Sequence, residues 1–167
     1  MRSPEDYRHL AGELLVDIAL LEQLLGKHAK ASERAELAGS DELAWAAVGY
    51  TIHNIYCLFE NYFLRISKFF GNGLDAGSWH AELIEGMCLE LPGTRPRLFD
   101  RSFAERMDAF RRFRHAFRNM YQTELDPRRV RILNEDLPVL VADFLPWHQR
   151  FIEALDRIAD EAENPEA

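Results

Sequence analysis

Residues 103–121 read FAERMDAFRRFRHAFRNMY, and this stretch decides the fold. Its apolar residues recur at the three- and four-residue spacing of one face of an α-helix. They are Phe103, Met107, Phe110, Phe117 and Tyr121. Arg114 stands where the series should continue between Phe110 and Phe117. Because burying an unpaired guanidinium is costly, an arginine in an apolar stripe is normally paired or lines a polar site. The stretch therefore predicts a packed helix that carries a functional site.

The helical period continues on both sides of this stretch, and glycine and proline clusters separate the periodic segments. The predicted helices run from Pro4 to about Lys30, from Trp45 to Ile66, from about Ser78 to Glu90, from about Arg101 to Glu124, and from Pro127 onward. Pro138 and Pro146 should kink or break the last of them, since proline removes a helical N–H.

The periodicity predicts the fold class, because no window shows the two-residue alternation of a half-buried strand. We predict an all-α protein, an antiparallel up-and-down four-helix bundle with an additional short helix. Trp79-His80, at the start of the short helix, should pack it onto the bundle. Residues 1–160 should form a single helical domain, with residues 161–167 as a frayed tail.

Composition restricts the class of protein. No apolar segment approaches the ~18 uncharged residues of a membrane span, and the first residues lack a secretory signal pattern, so we expect a cytoplasmic protein with no membrane partner. Cys57 and Cys88 form no metal-ligand pattern. His9, His28 and His148 have no second ligand at a recognisable spacing, so we expect neither a metal nor a cofactor.

Charge is unevenly distributed along the chain. Residues 95–131 contain eleven arginines and five acidic residues, a net charge of +6, so with a total of −8 the remainder carries −14. A basic stretch in an acidic protein can attract a polyanion or an acidic partner subunit. Alternatively, most of these arginines belong to a solvated helix face and pair with nearby carboxylates.

Three arginines of the central helix form what we call the arginine seam: Arg111, Arg114 and Arg118. On an ideal helix they lie beside the apolar face, and His115 and Asn119 lie on the adjoining polar side. Guanidinium groups bind phosphate through paired hydrogen bonds, and an imidazole can transfer a proton at neutral pH. The seam therefore suits a phosphodiester, with Arg111 and Arg118 as further phosphate-binding residues.

The second helix offers possible partners for the seam. His53 and Glu60 are seven residues apart and share one flank of that helix. Glu60 could pair with Arg114 or Arg118 and orient the guanidinium. In the alternative interpretation, His53 is a hydrogen-bonded core histidine and Glu60 belongs to a structural ion pair.

Arg114-His115, followed by Asn119-Met120-Tyr121, resembles the signature of the HEPN superfamily, and specifically of HepT-like ribonuclease toxins. That signature is Arg, a polar residue, three or more others, then His, any residue and Tyr. The resemblance covers about residues 45 to 155. Further similar stretches are HNIYCLFENYF (53–63), Trp79-His80, Arg95-Pro96 and YQTELDP (121–127).

The resemblance implies a HEPN-like bundle and a metal-independent endoribonuclease, usually a homodimer whose motifs meet at the dimer interface. The ribose 2′-hydroxyl would act as the nucleophile on an RNA substrate, tRNA being one candidate. Arg114 would be the phosphate clamp and His115 the polar second position. Such toxins are commonly encoded with a minimal nucleotidyltransferase (MNT-type) antitoxin, which in some systems adds AMP to the motif tyrosine, here Tyr121.

The sequence departs from the signature at Asn119, which stands in place of the catalytic histidine. An amide cannot transfer a proton at neutral pH. Three alternatives follow: His115 takes over the proton transfer, the protein binds RNA without cutting it, or it is a degenerate subunit that assembles with another protein. Two function classes are therefore open, a ribonuclease toxin and a non-catalytic helical adaptor that binds RNA, a nucleotide or a nucleotidyltransferase.

Overall fold

Five helices make up the protein in a computed structural model that describes residues 2–71, 79–92, 94–119 and 125–163. They are α1 (Pro4–Leu37), α2 (Glu42–Phe69), α3 (Trp79–Met87), α4 (Arg101–Arg118) and α5 (Pro127–Glu163). No strand occurs in the described ranges, so the predicted all-α fold class is confirmed. None of the helices described is both long enough and apolar enough to cross a membrane.

Three of the helices have a short polar side chain as their N-cap. Ser3 accepts a hydrogen bond from the backbone N–H of Asp6, whose carboxylate accepts one from the N–H of Ser3. Asp41 and Asp100 cap α2 and α4 in a similar way. These caps satisfy N–H groups that have no partner within the helix, and they fix where α2 and α4 begin.

Pairs of contacts show how the long helices run. Tyr7 packs on Phe69, with ring centroids 5.2 Å apart, and Asp17 pairs with Arg65 at 2.9 Å, so α1 and α2 are antiparallel. The same test shows that α2 and α5 run parallel. Tyr62 Oη of α2 lies 2.8 Å from His148 Nδ1 of α5. Near the start of both helices, Cζ of Arg131 lies 4.0 Å from the centroid of the Trp45 ring.

An aromatic core lies between α2, α4 and α5. Phe144 of α5 contacts Phe59 edge to face at 5.0 Å, and it also packs against Phe63 and Phe103. The loop after α3 is fixed by Arg95, which is 2% exposed and donates to the carbonyl oxygens of Gly86 and Leu89. This buried guanidinium holds the C-terminal end of α3 and so helps to fix that helix against the bundle.

Several helix boundaries differ from the predictions, among them those of α2 and α3, which span Glu42–Phe69 and Trp79–Met87. α1 continues to Leu37 rather than ending near Lys30, because Ala31 and Ala35 still pack inward. Of the kink or break predicted at Pro138 and Pro146, the break does not occur: α5 continues through both prolines, since buried apolar residues flank them and hold the helix in place. The described part of α4 ends at Arg118; residues 120–124 of the predicted helix lie outside the described residues.

Candidate active site

A glycine allows α2 and α4 to approach closely. A Cβ atom added to Gly49 would lie 3.0 Å from Cε2 of Phe117 and 3.4 Å from Cζ of Phe113. One turn later on α2, the ring of His53 packs on Phe117 with centroids 5.3 Å apart. Since Glu60 contacts Arg114, nearer the start of α4, the two helices are antiparallel. One face of α2 therefore lies along the arginine seam.

Arg114 is held by a buried carboxylate. Its Nη2 lies 3.1 Å from Oε1 of Glu60, and the two side chains are only 13% and 7% exposed. Its Nε is buried without a hydrogen-bond partner in the described residues. The arginine that interrupts the apolar stripe thus points into the bundle, where Glu60 compensates its charge.

His80 of α3 shares the same carboxylate, with Nδ1 2.7 Å from Oε2 of Glu60. Because a carboxylate only accepts hydrogen bonds, Nδ1 is the donor. The Trp79 ring stacks against this imidazole, with centroids 3.5 Å apart. The prediction that Trp79 and His80 pack the short helix therefore omitted a polar contact. We call Arg114, Glu60 and His80 the buried triad after the burial of Arg114 and Glu60; the His80 side chain is 30% exposed.

Tyr56 lies beside the buried triad and is 1% exposed. Its hydroxyl has no hydrogen-bond partner in the described residues. Burial, with a contribution from the charge of Glu60, raises the pKa of this hydroxyl far above its ordinary value, although Arg111 and Arg114 oppose the shift. Tyr56 is therefore neutral. Apart from its position on α2, nothing in the sequence indicated that it would lie beside Glu60 and Arg114.

Arg111 is fixed along α4 by Asp108. Its Nε lies 2.5 Å from one oxygen of Asp108, and Nε of Arg112 lies 3.3 Å from the other. These pairs have i,i+3 and i,i+4 spacing, so the sequence alone could have indicated them. Arg111 also lines a cleft of about 390 Å³ between α3 and α4, together with Ala81, Ile84 and Glu85.

The end of α4 carries the motif residues that the sequence singled out. His115 and Arg118 are exposed there. Asn119 is the C-cap: its side-chain Nδ2 donates to the carbonyl oxygen of His115 at 3.0 Å. The amide thus satisfies a helix-end carbonyl. Tyr121, the predicted modifiable tyrosine, lies outside the described residues.

His53 is the histidine of α2, and its ring packs on Phe117 near this end of α4. It is partly buried, with Nδ1 3.4 Å from Oδ1 of Asn54 and both ring nitrogens 3.8 Å from the sulfur of Cys57. Burial lowers its pKa, and the charges of Arg114 and Arg118 lower it further. The neutral imidazole is therefore favoured beside the seam.

Of the predicted residues, contacts thus join Glu60 and Arg114, and His80 joins them through the same carboxylate. In the described ranges, no group of three or more His, Cys, Asp or Glu side chains could hold a metal ion. The chemistry that these residues can supply is anion binding by arginine and proton transfer by imidazole.

Comparison with known proteins gives one match. A family model described as HepT-like protein matches residues 47–155, which is well over half of the chain. The matched segment contains the α2 residues of the site, all of α3 and α4, and most of α5. Searches of curated proteins and of solved structures gave no match.

Proposed function

Since this chain belongs to the HepT-like protein family, we propose that it is a metal-independent endoribonuclease and the toxin of a toxin–antitoxin pair. The RNA chain would be cut by attack of a ribose 2′-hydroxyl on the adjacent phosphorus. Cleavage would take place in the cytoplasm, where tRNA is one candidate substrate. The family membership and the geometry around Arg114 support this proposal.

The orientation of Arg114 is the observation that carries the proposal. Glu60 holds one side of the guanidinium, and His80 holds the other oxygen of Glu60. A guanidinium fixed in this way loses little further freedom on binding a phosphate. The Arg114 side chain is still 13% exposed, so part of it is accessible to a phosphate.

Arginine charge would stabilise the reaction. As the 2′-oxygen bonds to phosphorus, negative charge grows on the non-bridging oxygens, and fixed cations lower the barrier most when they face that charge. Arg114 would bind the scissile phosphate, with Arg111 and Arg118 on neighbouring phosphate oxygens. The bond from phosphorus to the 5′-oxygen breaks, which leaves a 2′,3′-cyclic phosphate.

We further propose a homodimer. Arg118 and His115 are exposed at the end of α4, so a twofold axis nearby would bring two arginine seams to one RNA strand. An MNT-type nucleotidyltransferase would be the antitoxin, with Tyr121 as the hydroxyl that it modifies. Sedimentation of the purified protein tests the dimer, and mass spectrometry after incubation with the enzyme and ATP tests the modification.

The ribonuclease proposal is tested with tRNA in the presence of EDTA. The unmodified protein should produce 2′,3′-cyclic phosphate ends, and Arg114→Ala should abolish them. Arg106→Ala is the matched control, because Arg106 lies on the same helix but pairs with Asp143 of α5 at 2.6 Å. Equal cleavage by the Arg114 variant and the control would contradict the proposal.

Asn119 favours a second candidate, the non-catalytic adaptor. Its amide caps α4 and cannot transfer a proton, so the chain could retain the fold and bind a partner without cutting RNA. If only Asn119→His cuts tRNA, this second function is supported. Co-purification with a nucleotidyltransferase encoded next to the gene would then identify the protein that it binds.

A further inference from the structure

We infer that His53 of α2 is the general base of this chain, acting in place of the histidine that the motif lacks at position 119. The inference rests on the proposed ribonuclease function. It comes from the packing of α2 on α4, since residues 53 and 119 are far apart in the sequence.

The position of His53 is set by Phe117, whose ring lies 5.3 Å away between the centroids. Phe117 stands between Arg114 and Arg118 on α4, within the last turn, which Asn119 caps. The imidazole therefore lies at the end of α4 that carries the motif, on the side of that helix that faces α2. At this position the charges of Arg114 and Arg118 act on the ring.

The other histidines near the bundle core are already engaged. His80 donates to Glu60 at 2.7 Å, His148 bonds the Tyr62 hydroxyl at 2.8 Å, and His28 bonds the Thr51 hydroxyl at 2.8 Å. The polar contacts of His53, by contrast, are a weak amide contact at 3.4 Å and a thiol at 3.8 Å. Its ring can therefore accept a proton from a substrate at little cost in internal hydrogen bonds.

Charged groups around His53 favour the neutral form that a base requires. Burial lowers its pKa most; Arg114 and Arg118 of α4 act in the same direction. On α2, the hydrogen bond with Asn54 and the charge of Glu60 raise the pKa. The thiol of Cys57, also on α2, faces the ring. The net shift is downward, so the imidazole is unprotonated at neutral pH.

The proton transfer is balanced within the proposed reaction. His53 takes the proton of the 2′-hydroxyl while the 2′-oxygen bonds to phosphorus. The bond from phosphorus to the 5′-oxygen breaks, and that oxygen takes a proton from water. The imidazolium then returns its proton to solvent. A positioned base of this kind contributes about 10²- to 10⁴-fold to the rate.

The test removes His53 in two backgrounds. His53→Ala and His53→Gln should each lower kcat for tRNA cleavage by at least about 100-fold, with little change in KM. The same substitutions combined with Asn119→His should cleave tRNA, because an imidazole is restored at the motif position. His9→Ala, which removes an exposed histidine of α1, is the control and should cleave normally. Circular dichroism of each variant confirms folding.

Three results would overturn the inference. If the His53 variants cut normally while Arg114→Ala is inactive, the ribonuclease proposal stands and another group is the base. If the His53 variants are inactive in both backgrounds, His53 has only a structural role. If the unmodified protein does not cut RNA, both proposals fall together.

The pH profile gives an independent readout. The kcat/KM of the unmodified protein should fall as the pH drops through the pKa of His53. That acid limb should shift in the double variant that carries Asn119→His, because a different imidazole would then titrate. An identical profile in both proteins would contradict a proton-transfer role for His53.

Discussion

At the scale of single residues, the site depends on how one carboxylate is shared. Glu60 has both oxygens occupied, one by the guanidinium of Arg114 and one by the imidazole of His80. Removing one member of a buried ion pair leaves the other charge uncompensated in a medium that solvates it poorly. Glu60 therefore contributes to stability as well as to the orientation of Arg114.

Glu60→Ala should lower the free energy of unfolding by about 3–5 kcal/mol, because Arg114 would stay buried without a counter-charge. Urea unfolding measures the change. The matched control is Glu13→Ala, which removes a pair with Arg65 whose side chains are 37% and 40% exposed. That variant should lose at most about 1 kcal/mol. Equal losses would show that the Glu60 pair is worth no more than a surface pair.

At the scale of helices, the periodicity of the sequence was sufficient to predict the helices but not the contacts between them. The apolar stripes predicted all five helices, and the interruption at Arg114 marked the position on α4 that pairs with Glu60 of α2. The contact between Glu60 and His80 could not be predicted, since it depends on how α3 is rotated against α2. Local spacing carries no information about that rotation. The same limit hid the contact of His53 with Phe117.

Gly49 sets the separation of α2 and α4, which gives a prediction for helix packing. Alanine in place of glycine normally stabilises a helix interior by about 1 kcal/mol. Gly12→Ala on α1 should show that gain, because a Cβ there meets nothing within 4 Å. Gly49→Ala should lose most or all of it, since its Cβ would press on Phe117 at 3.0 Å. Thermal unfolding of both variants decides; equal gains would mean that the helices are not in tight contact.

At the scale of the whole molecule, α5 links the site to global stability. It packs against α1, α2 and α4, and His148 on it is buried against Tyr62. His28, His53 and His148 lie on three different helices, and burial lowers the pKa of each. Protonation of any of them is therefore opposed by the folded state as a whole.

This burial predicts how stability depends on pH. The unfolded chain binds protons at these imidazoles near pH 6.5, whereas the folded chain binds them only at lower pH. Stability from this source is therefore fully present above about pH 6.5 and is lost as the pH falls below it. Urea unfolding between pH 7 and 5 should show the decline. His148→Gln should flatten the curve, whereas the exposed His9→Gln should not; identical slopes would contradict the prediction.

The buried triad has a consequence for the evolution of the family. Arg114, Glu60 and His80 come from three helices, and Glu60 compensates the charge of Arg114 and accepts the hydrogen bond of His80. A substitution at one position changes the selective value of the residues at the other two. The residues at positions 60, 80 and 114 should thus co-vary among homologues. A homologue that lacks the arginine should also lack the acid and the imidazole.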